Sequence, residues 1–141
     1  MDTRAAVEEL LRRIGEGDPE RTAELYADNV EWLLSWPEED HGGAVSWIRH
    51  RSTRADVVDH FIRLPGAHVP EKASMEIEHI LVDGPHAVVT GVVANTVRAT
   101  GGAYRARFAL HMTVEDGRIV RHNVYEDSLA VARACGTAAG A

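Results

Sequence analysis

Residues 104–127 read YRARFALHMTVEDGRIVRHNVYED and contain two runs in which apolar and polar side chains alternate. Such alternation is typical of β-strands whose two faces meet different surroundings. Asp116-Gly117 separates the two runs, and glycine supplies the positive φ that a tight hairpin turn requires. The segment therefore predicts an antiparallel β-hairpin, and the rest of the chain is expected to cover one face of it.

Two further strands are expected before this hairpin, and helices are expected before those. Gly84-Pro85 and Gly101-Gly102 supply the turns between the strands. The predicted strands cover Ser74–Asp83, His86–Arg98, Tyr104–Val114 and Ile119–Asp127. Apolar spacing and capping residues predict helices over Thr3–Ile14, Pro19–Asp28 and Arg54–Leu64, a strand over Val30–Trp36 and a helical turn over Ser128–Cys135.

This order of elements predicts one α+β domain over residues 1–141. Three N-terminal helices precede a run of antiparallel strands, and such chains segregate their helices onto one face of a curved sheet. Neither a repeat nor a linker interrupts the pattern.

Composition narrows the class of protein. The chain has 15 Lys and Arg against 22 Asp and Glu, for a formal net charge of −7, whereas nucleic-acid-binding surfaces are basic. No apolar run approaches the roughly 18–20 residues of a membrane span, and the charged N-terminus lacks the apolar core of a signal peptide. We therefore expect a cytoplasmic protein with no nucleic-acid or membrane partner.

Two motifs resemble a known fold. The chain contains LYADNVEW at residues 25–32 and DGRIVRHNVYED at residues 116–127, which are similar to the pocket-entering strand and the last strand of nuclear-transport-factor-2-like proteins. Within that superfamily it resembles the SnoaL-like polyketide cyclases, the ketosteroid isomerases and the limonene-epoxide hydrolases. The resemblance implies a cone with an enclosed cavity, a homodimer, and cyclase or isomerase activity on a small molecule.

The chain departs from these families where they carry an essential acid. Counted from Gly117, the position of that acid is Val124, which also replaces the water-activating Asp of the epoxide hydrolases. Their Arg and second Asp fall near Val93 and Asn95. The standard epoxide-opening residues are therefore absent.

His122 and Glu126 are the predicted catalytic pair. If Val124 faces the cavity, strand alternation places both on the same face, about 13 Å apart along the strand, so that they address two ends of one ligand. Histidine carries protons near neutral pH, and burial raises the pKa of a glutamate toward values that suit a general acid or base.

The opposite parity of this strand is an open alternative. It turns Asn123, Tyr125 and Asp127 inward, and Asp127 is then the catalytic candidate. Asp127 also matches the terminal Asp of the resembled motif, which more often caps the following turn.

Aromatic and aliphatic residues are expected to form the cavity walls, because apolar clefts with aromatic sides suit organic ligands. Core packing is the alternative role for Trp32, and Asn95 is the expected hydrogen-bond partner of the ligand. The predicted walls are Trp32, Trp36, Trp47, Phe61, Phe108, Leu110, Met112 and Val124.

The resulting hypothesis is a cyclase or isomerase that acts on an apolar, oxygenated molecule of polyketide or terpenoid type. Metal-binding spacings of His and carboxylates and phosphate-binding glycine loops do not occur, so no metal and no cofactor are expected. A homodimer is expected through a sheet face that carries Arg105, Arg107, His111 and Thr113. The alternatives are a binding or assembly module without chemistry and an epoxide hydrolase or cyclase with rearranged acids.

Overall fold

The first two helices begin at aspartate caps. In the computed structural model, which describes residues 1–136, α1 spans Thr3–Glu16 and α2 spans Pro19–Ala23. The carboxylates of Asp2 and Asp18 each accept a hydrogen bond from the first turn of the helix that follows, and such caps stabilise a helix by about 1 kcal/mol.

α4 is the helix that supplies side chains to the site, and it begins at a capping box. It spans Arg54–Gly66. The Thr53 hydroxyl accepts from the backbone N–H of Asp56, and the Asp56 carboxylate accepts from the backbone N–H of Thr53, so two otherwise unpaired donors are satisfied. The short elements are α3 over Glu38–His41, a 3-10 turn over Pro70–Lys72 and α5 over Ser128–Ala134.

Five strands of the described part of the chain form one sheet. They are β1 (Tyr26–Leu33), β2 (Ser74–Asp83), β3 (His86–Thr96), β4 (Ala103–Glu115) and β5 (Arg118–Glu126). Their order across the sheet is β1-β5-β4-β3-β2. The predicted hairpin is β4 and β5, and its turn residues Asp116 and Gly117 have φ values of 51° and 75°. Two successive positive φ values suit the twist of paired strands.

The first strand departs from the prediction in direction and in position. β1 pairs with β5 in parallel, with Trp32 opposite His122, so the sheet is not wholly antiparallel. β1 also begins at Tyr26, inside the predicted second helix, and ends at Leu33. Tyr26 is fully buried and lies opposite Ile119 of β5, so a tertiary strand pairing overrides the local helical pattern.

The region between β1 and β2 also differs from the prediction. Among residues 1–136, four α-helices precede β2 where three were expected, because the polar loop after Trp36 contains α3. No helix in the described part of the chain is long and apolar enough to cross a membrane.

The helices pack on the sheet around two apolar clusters, and the predicted α+β cone with segregated helices is confirmed. The main cluster joins α1 and α4 to the strands, and its largest fully buried side chains are Tyr26, Leu10, Met112, Ile119, Val7 and Val57. The second cluster lies beside α5 and includes Val45, Trp47, Val97, Tyr104 and Val131. The candidate site lies between the two clusters. Trp32 and Val124, which pack against the main cluster, and Trp47 of the second cluster line it.

Candidate active site

A cavity of about 130 Å³ lies between β1, α4, β5 and the loop that follows β1. Its polar lining residues are Ser35, His60, His122, Glu126 and Ser128. Its walls are largely apolar and include Trp32, Trp36, Trp47, Ile48, Leu64 and Val124. An apolar enclosure with a few convergent polar groups is typical of sites for small organic ligands.

β5 presents alternate residues to the cavity. His122, Val124 and Glu126 line it, whereas Tyr125 is 53% exposed. Asp127 is exposed, and its carboxylate accepts a hydrogen bond from the Ala130 N–H at the start of α5. Asp127 therefore holds a helix end, and the inward face of this strand is the one that carries His122 and Glu126.

Five predicted ligand contacts lie outside the cavity. Asn95 donates a hydrogen bond to the Tyr104 hydroxyl at 3.2 Å. The other four pack in or against the main core cluster, and they are Phe61, Phe108, Leu110 and Met112. α1 packs on β3 and β4, and α4 packs on β1, so these side chains meet helices and strands, and their expected role as walls is corrected to core.

His122 lies at the buried end of the cavity and is only 3% exposed. Its Nδ1 is 2.9 Å from the Tyr26 hydroxyl oxygen, and its ring stacks on Trp32 with centroids 3.8 Å apart and planes 5° from parallel. Burial raises the pKa of the Tyr26 phenol, so Tyr26 keeps its proton. The second ring nitrogen, Nε2, is buried and has no hydrogen-bond partner among the described residues.

His60 of α4 is one of the cavity residues that the sequence analysis did not identify as ligand contacts. Its ring centroid lies 6.0 Å from that of His122 and 4.8 Å from that of Trp32. Burial, with a smaller contribution from the Arg51 charge, lowers the pKa of His60 to about 3. The spacing of Val57, His60 and Leu64 along α4 was the available signal, since residues three and four apart share one helix face.

Arg51 places a buried positive charge beside these two histidines. It is 7% exposed, and its Nη1 donates to the Asp59 carboxylate at 2.9 Å and to the Asp56 carbonyl at 2.6 Å. Burial first, and then His60 and Arg51, hold the pKa of His122 well below its usual value. Both imidazoles are therefore neutral at physiological pH.

Glu126 supplies the titrating group at the other end of the cavity. Burial, with a smaller contribution from the neighbouring Asp127 charge, raises its pKa to about 7. A carboxyl group with this pKa exists in both protonation states near neutral pH, which is the property that general acid–base catalysis requires.

A second buried tyrosine–histidine pair lies near the cavity but outside its lining. The Tyr104 hydroxyl is 2.9 Å from His68 Nε2, and His68 Nδ1 is 2.6 Å from the Leu64 carbonyl oxygen. A carbonyl only accepts hydrogen bonds, so Nδ1 carries the proton and Nε2 accepts from Tyr104. Both nitrogens of His68 are therefore satisfied within the protein.

Residues 1–136 contain no group of three His, Cys, Asp or Glu side chains that is arranged to hold a metal ion. The polar groups of the cavity are two neutral imidazoles, one carboxyl and two hydroxyls. This set suits hydrogen bonding and proton transfer to an organic ligand.

Comparison with solved structures gives matches over nearly the whole chain. An NTF2-like protein from Burkholderia thailandensis has a TM-score of 0.80 at 20% identity, covering 95% of this chain and 97% of the other. A Bacillus subtilis protein provisionally assigned as an isomerase has a TM-score of 0.70 at 22% identity, covering 98% of each chain. A Kribbella flavida protein provisionally assigned as a ketosteroid isomerase has a TM-score of 0.61 at 21% identity, covering 88% of this chain and 76% of the other.

Identities this low show a shared fold and not a shared activity. Comparison with curated proteins found no significant match. The model of the SnoaL-like domain family matches residues 7–122, which include most of α1, all of α4 and the strand position of His122. The chain therefore shares the fold of the NTF2-like structures and belongs to the SnoaL-like domain family.

Proposed function

We propose that this protein is a cofactor-independent isomerase or cyclase that acts on an apolar, oxygen-bearing intermediate of polyketide or terpenoid type. The observation that carries the proposal is the Glu126 carboxyl, which lines an apolar cavity and has a pKa raised to about 7. Such a group takes a proton from carbon in one step and returns it in the next.

Glu126 is the proton carrier in this mechanism. Its carboxylate removes a proton from one carbon of the substrate, and the resulting carboxylic acid delivers that proton to a second carbon. One C–H bond breaks and another forms, so the product is an isomer of the substrate. In a cyclisation, the deprotonated carbon instead attacks a carbonyl carbon, and the acid returns the proton to the carbonyl oxygen.

His122 orients the substrate in this mechanism. Its ring is neutral at physiological pH because burial lowers its pKa, so it is a weak proton donor and an effective hydrogen-bond partner. Glu126 is four residues farther along the same strand, about 13 Å away in extended chain. A substrate oxygen held at His122 thus fixes which carbon faces Glu126, and orientation of this kind accounts for a large part of many rate enhancements.

The environment of Val124 argues against epoxide opening. Val124 lines the cavity between His122 and Glu126, at the position where the resembled epoxide hydrolases carry their water-activating Asp. An apolar side chain there favours proton transfer by Glu126 over activation of water.

The test is the conversion of a β,γ-unsaturated ketone, 3-cyclohexen-1-one, into its conjugated isomer, followed by the ultraviolet absorbance of the product. Glu126→Gln preserves shape and removes the titrating group, and we expect it to lower turnover by at least about 10²-fold without lowering the melting temperature. Asp127→Asn is the matched control, because asparagine also caps helices, and it should retain turnover.

Three outcomes contradict this assignment. Full turnover in Glu126→Gln removes Glu126 from the reaction. Loss of turnover in Asp127→Asn alone assigns the chemistry to the other face of β5. Binding of small molecules to the cavity without any protein-dependent conversion across a panel of such ketones favours a binding module.

We also infer a homodimer formed through the outer face of the sheet with a second copy of the chain. Arg105 and Arg107 lie there beside Glu76 and Glu78, at 3.9 and 3.4 Å. β2, the edge strand that carries the two glutamates, exposes large apolar side chains, including Leu81 at 58%, and arginine with apolar groups is typical of interfaces. Light scattering should give the mass of a dimer at micromolar concentration, and a monomer there contradicts the inference.

A further inference from the structure

We propose that His41 is a positioning residue for the candidate site, whose ring fixes the conformation of the wall segment, residues 34–50, which follows β1. The wall segment forms one side of the cavity through Leu34, Ser35, Trp36, Trp47 and Ile48. His41 is not among the described residues that line the cavity, so it acts on the site through these neighbours. The inference rests on the proposed function only in taking the cavity as the ligand site.

The wall segment is a compact loop held together by hydrogen bonds within it. The Gly42 N–H donates to the Glu38 carbonyl at 2.8 Å, and the Ile48 N–H donates to the Val45 carbonyl at 3.1 Å. The Glu38 carboxylate accepts from the His50 N–H at 2.7 Å, which ties the start of α3 to the end of the segment. Loops whose ends are close and whose own side chains pack them hold their shape through such internal contacts.

His41 makes three of these internal bonds from a buried position, where it is 8% exposed. Its Nε2 lies 3.0 Å from the Ile48 carbonyl oxygen, and its Nδ1 lies 3.1 Å from the Gly43 nitrogen and 3.4 Å from the Val45 nitrogen. A carbonyl only accepts and a backbone N–H only donates. Nε2 therefore carries the proton, Nδ1 accepts, and the neutral ring uses both nitrogens.

The His41 ring connects two parts of the wall that are separated along the chain. Its Nε2 bonds to Ile48, and its ring meets the ring of Trp36 edge-on, with centroids 5.2 Å apart. Trp36 lies before α3 and Ile48 lies after it, and both line the cavity. One buried imidazole thus sets where these two wall residues lie relative to each other.

Loss of the His41 bonds should rearrange the wall segment and leave the chemical step intact. The three backbone partners of the ring would lose their bonds, and unpaired polar groups favour another loop conformation. Glu126 and His122, the residues proposed to carry the proton and orient the substrate, lie on β5 and outside the segment. We therefore expect weaker ligand binding without a change in the reaction itself.

The experiment measures the dissociation constant of cyclohexanone by NMR titration. His41→Phe keeps an aromatic ring beside Trp36 and removes all three bonds, and we expect binding about 10-fold weaker than in the parent. His41→Gln returns an amide donor near the position of Nε2 and should recover part of the affinity. His50→Ala is the matched control, because it removes an exposed histidine of the same segment that pairs with Glu39 at the surface, and exposed pairs contribute little.

Two further readouts separate positioning from a general loss of stability. The NMR signals of the Trp47 indole and the Ile48 methyl groups should shift in His41→Phe and move back in His41→Gln, whereas the signals of Trp32 on β1 should stay in place. In the conversion of 3-cyclohexen-1-one, His41→Phe should raise KM by about 10-fold with kcat nearly unchanged, which is the pattern of lost binding common to ground and transition state.

One measurement does not depend on any variant folding. Nitrogen NMR of the parent protein should show His41 protonated on Nε2 and unprotonated on Nδ1. A protonated Nδ1, unshifted wall signals in His41→Phe, or losses in His50→Ala as large as those in His41→Phe overturn the inference. If the parent does not bind cyclohexanone, the wall signals and the tautomer decide.

These results are separable from the test of the proposed function, because binding and the wall signals require no turnover. Displaced wall signals and weakened binding in a protein that converts no ketone reject the proposed function alone. Turnover by His41→Phe with the affinity, KM and wall signals of the parent rejects this inference alone.

Discussion

Two tyrosine–histidine pairs are buried in this protein, and they differ in how many of the histidine nitrogens the protein itself uses. In both pairs the hydroxyl oxygen and the ring nitrogen are 2.9 Å apart. His68 also donates to the Leu64 carbonyl, so its hydrogen-bonding capacity is filled. Among the described residues His122 bonds only to Tyr26, and its other nitrogen is buried without a partner in a residue that lines the cavity.

The surroundings of the two pairs are otherwise alike. Each histidine packs on a tryptophan, His122 on Trp32 at 3.8 Å and His68 on Trp47 at 4.4 Å between ring centroids. Burial is the main cause that lowers the pKa of each histidine. The comparison shows that unused hydrogen-bonding capacity, and not residue type or burial, distinguishes a buried histidine that can bind a ligand from one that only stabilises the fold.

The largest expected effect separates the two histidines by stability. His68→Phe leaves the proton of the Tyr104 hydroxyl and the Leu64 carbonyl without their partner, and we expect a loss of about 4 kcal/mol in the free energy of unfolding, at about 2 kcal/mol for each unpaired group. His122→Phe leaves only the Tyr26 hydroxyl unpaired and should cost about half as much. Urea denaturation measures both, and equal losses would break the comparison.

The dependence of stability on pH tests the raised pKa of Glu126. Burial raises the pKa of Tyr104, the partner of His68, and the charge of Glu126 adds to that rise. The pKa of Glu126 is about 7 in the folded protein against an ordinary value of 4.5. Between these values the folded state holds the proton and the unfolded state releases it, so this contribution to stability is full below pH 4.5 and is lost as pH rises to about 7.

Glu126→Gln should remove that loss and stabilise the protein by about 2 kcal/mol at pH 7.5, after allowance for partial solvent screening. The measurement is the difference in unfolding free energy between variant and parent across this pH range. Glu8→Gln, an exposed change on α1, is the control, and a pH-independent difference for Glu126→Gln speaks against a raised pKa.

The smallest expected effect concerns the Tyr26 hydroxyl, which bonds to His122. Tyr26→Phe removes one hydrogen bond and should cost about 1 kcal/mol of stability. Donation by the Tyr26 hydroxyl to His122 Nδ1 favours the tautomer whose proton is on Nε2, so in Tyr26→Phe nitrogen NMR should show a mixture of the two ring tautomers. A single unchanged tautomer in Tyr26→Phe means that another contact sets it.

The sequence predicts the four-stranded meander to within two residues at each strand end, because turn chemistry and alternation are local properties. The Asp116-Gly117 turn is an example, and it occurs as expected. The predicted start of β1 was wrong, because Tyr26 joins the sheet by pairing with Ile119, which lies 93 positions later in the chain. Local periodicity contains no information on such a pairing.

The sequence predicted part of the candidate site, again because strand alternation is a local property. Alternation along β5 identifies the residues that share a face with Val124, and those residues do line the cavity. It does not say whether a given inward side chain meets a helix or open space, which is why Leu110 and Met112 were taken for walls and are core. His60 was missed because its helical stripe looks the same whether it packs against core or lines a cavity.

The tryptophans in the cavity wall also allow ligand binding to be followed by intrinsic fluorescence. The chain has three tryptophans, and all of them, Trp32, Trp36 and Trp47, line this one cavity. All intrinsic tryptophan fluorescence therefore comes from residues that line the candidate site. Because indole emission depends on the polarity and proximity of neighbouring groups, a bound ligand should change it. Occupancy of the site can therefore be followed in unlabelled protein, even for a compound that is never converted.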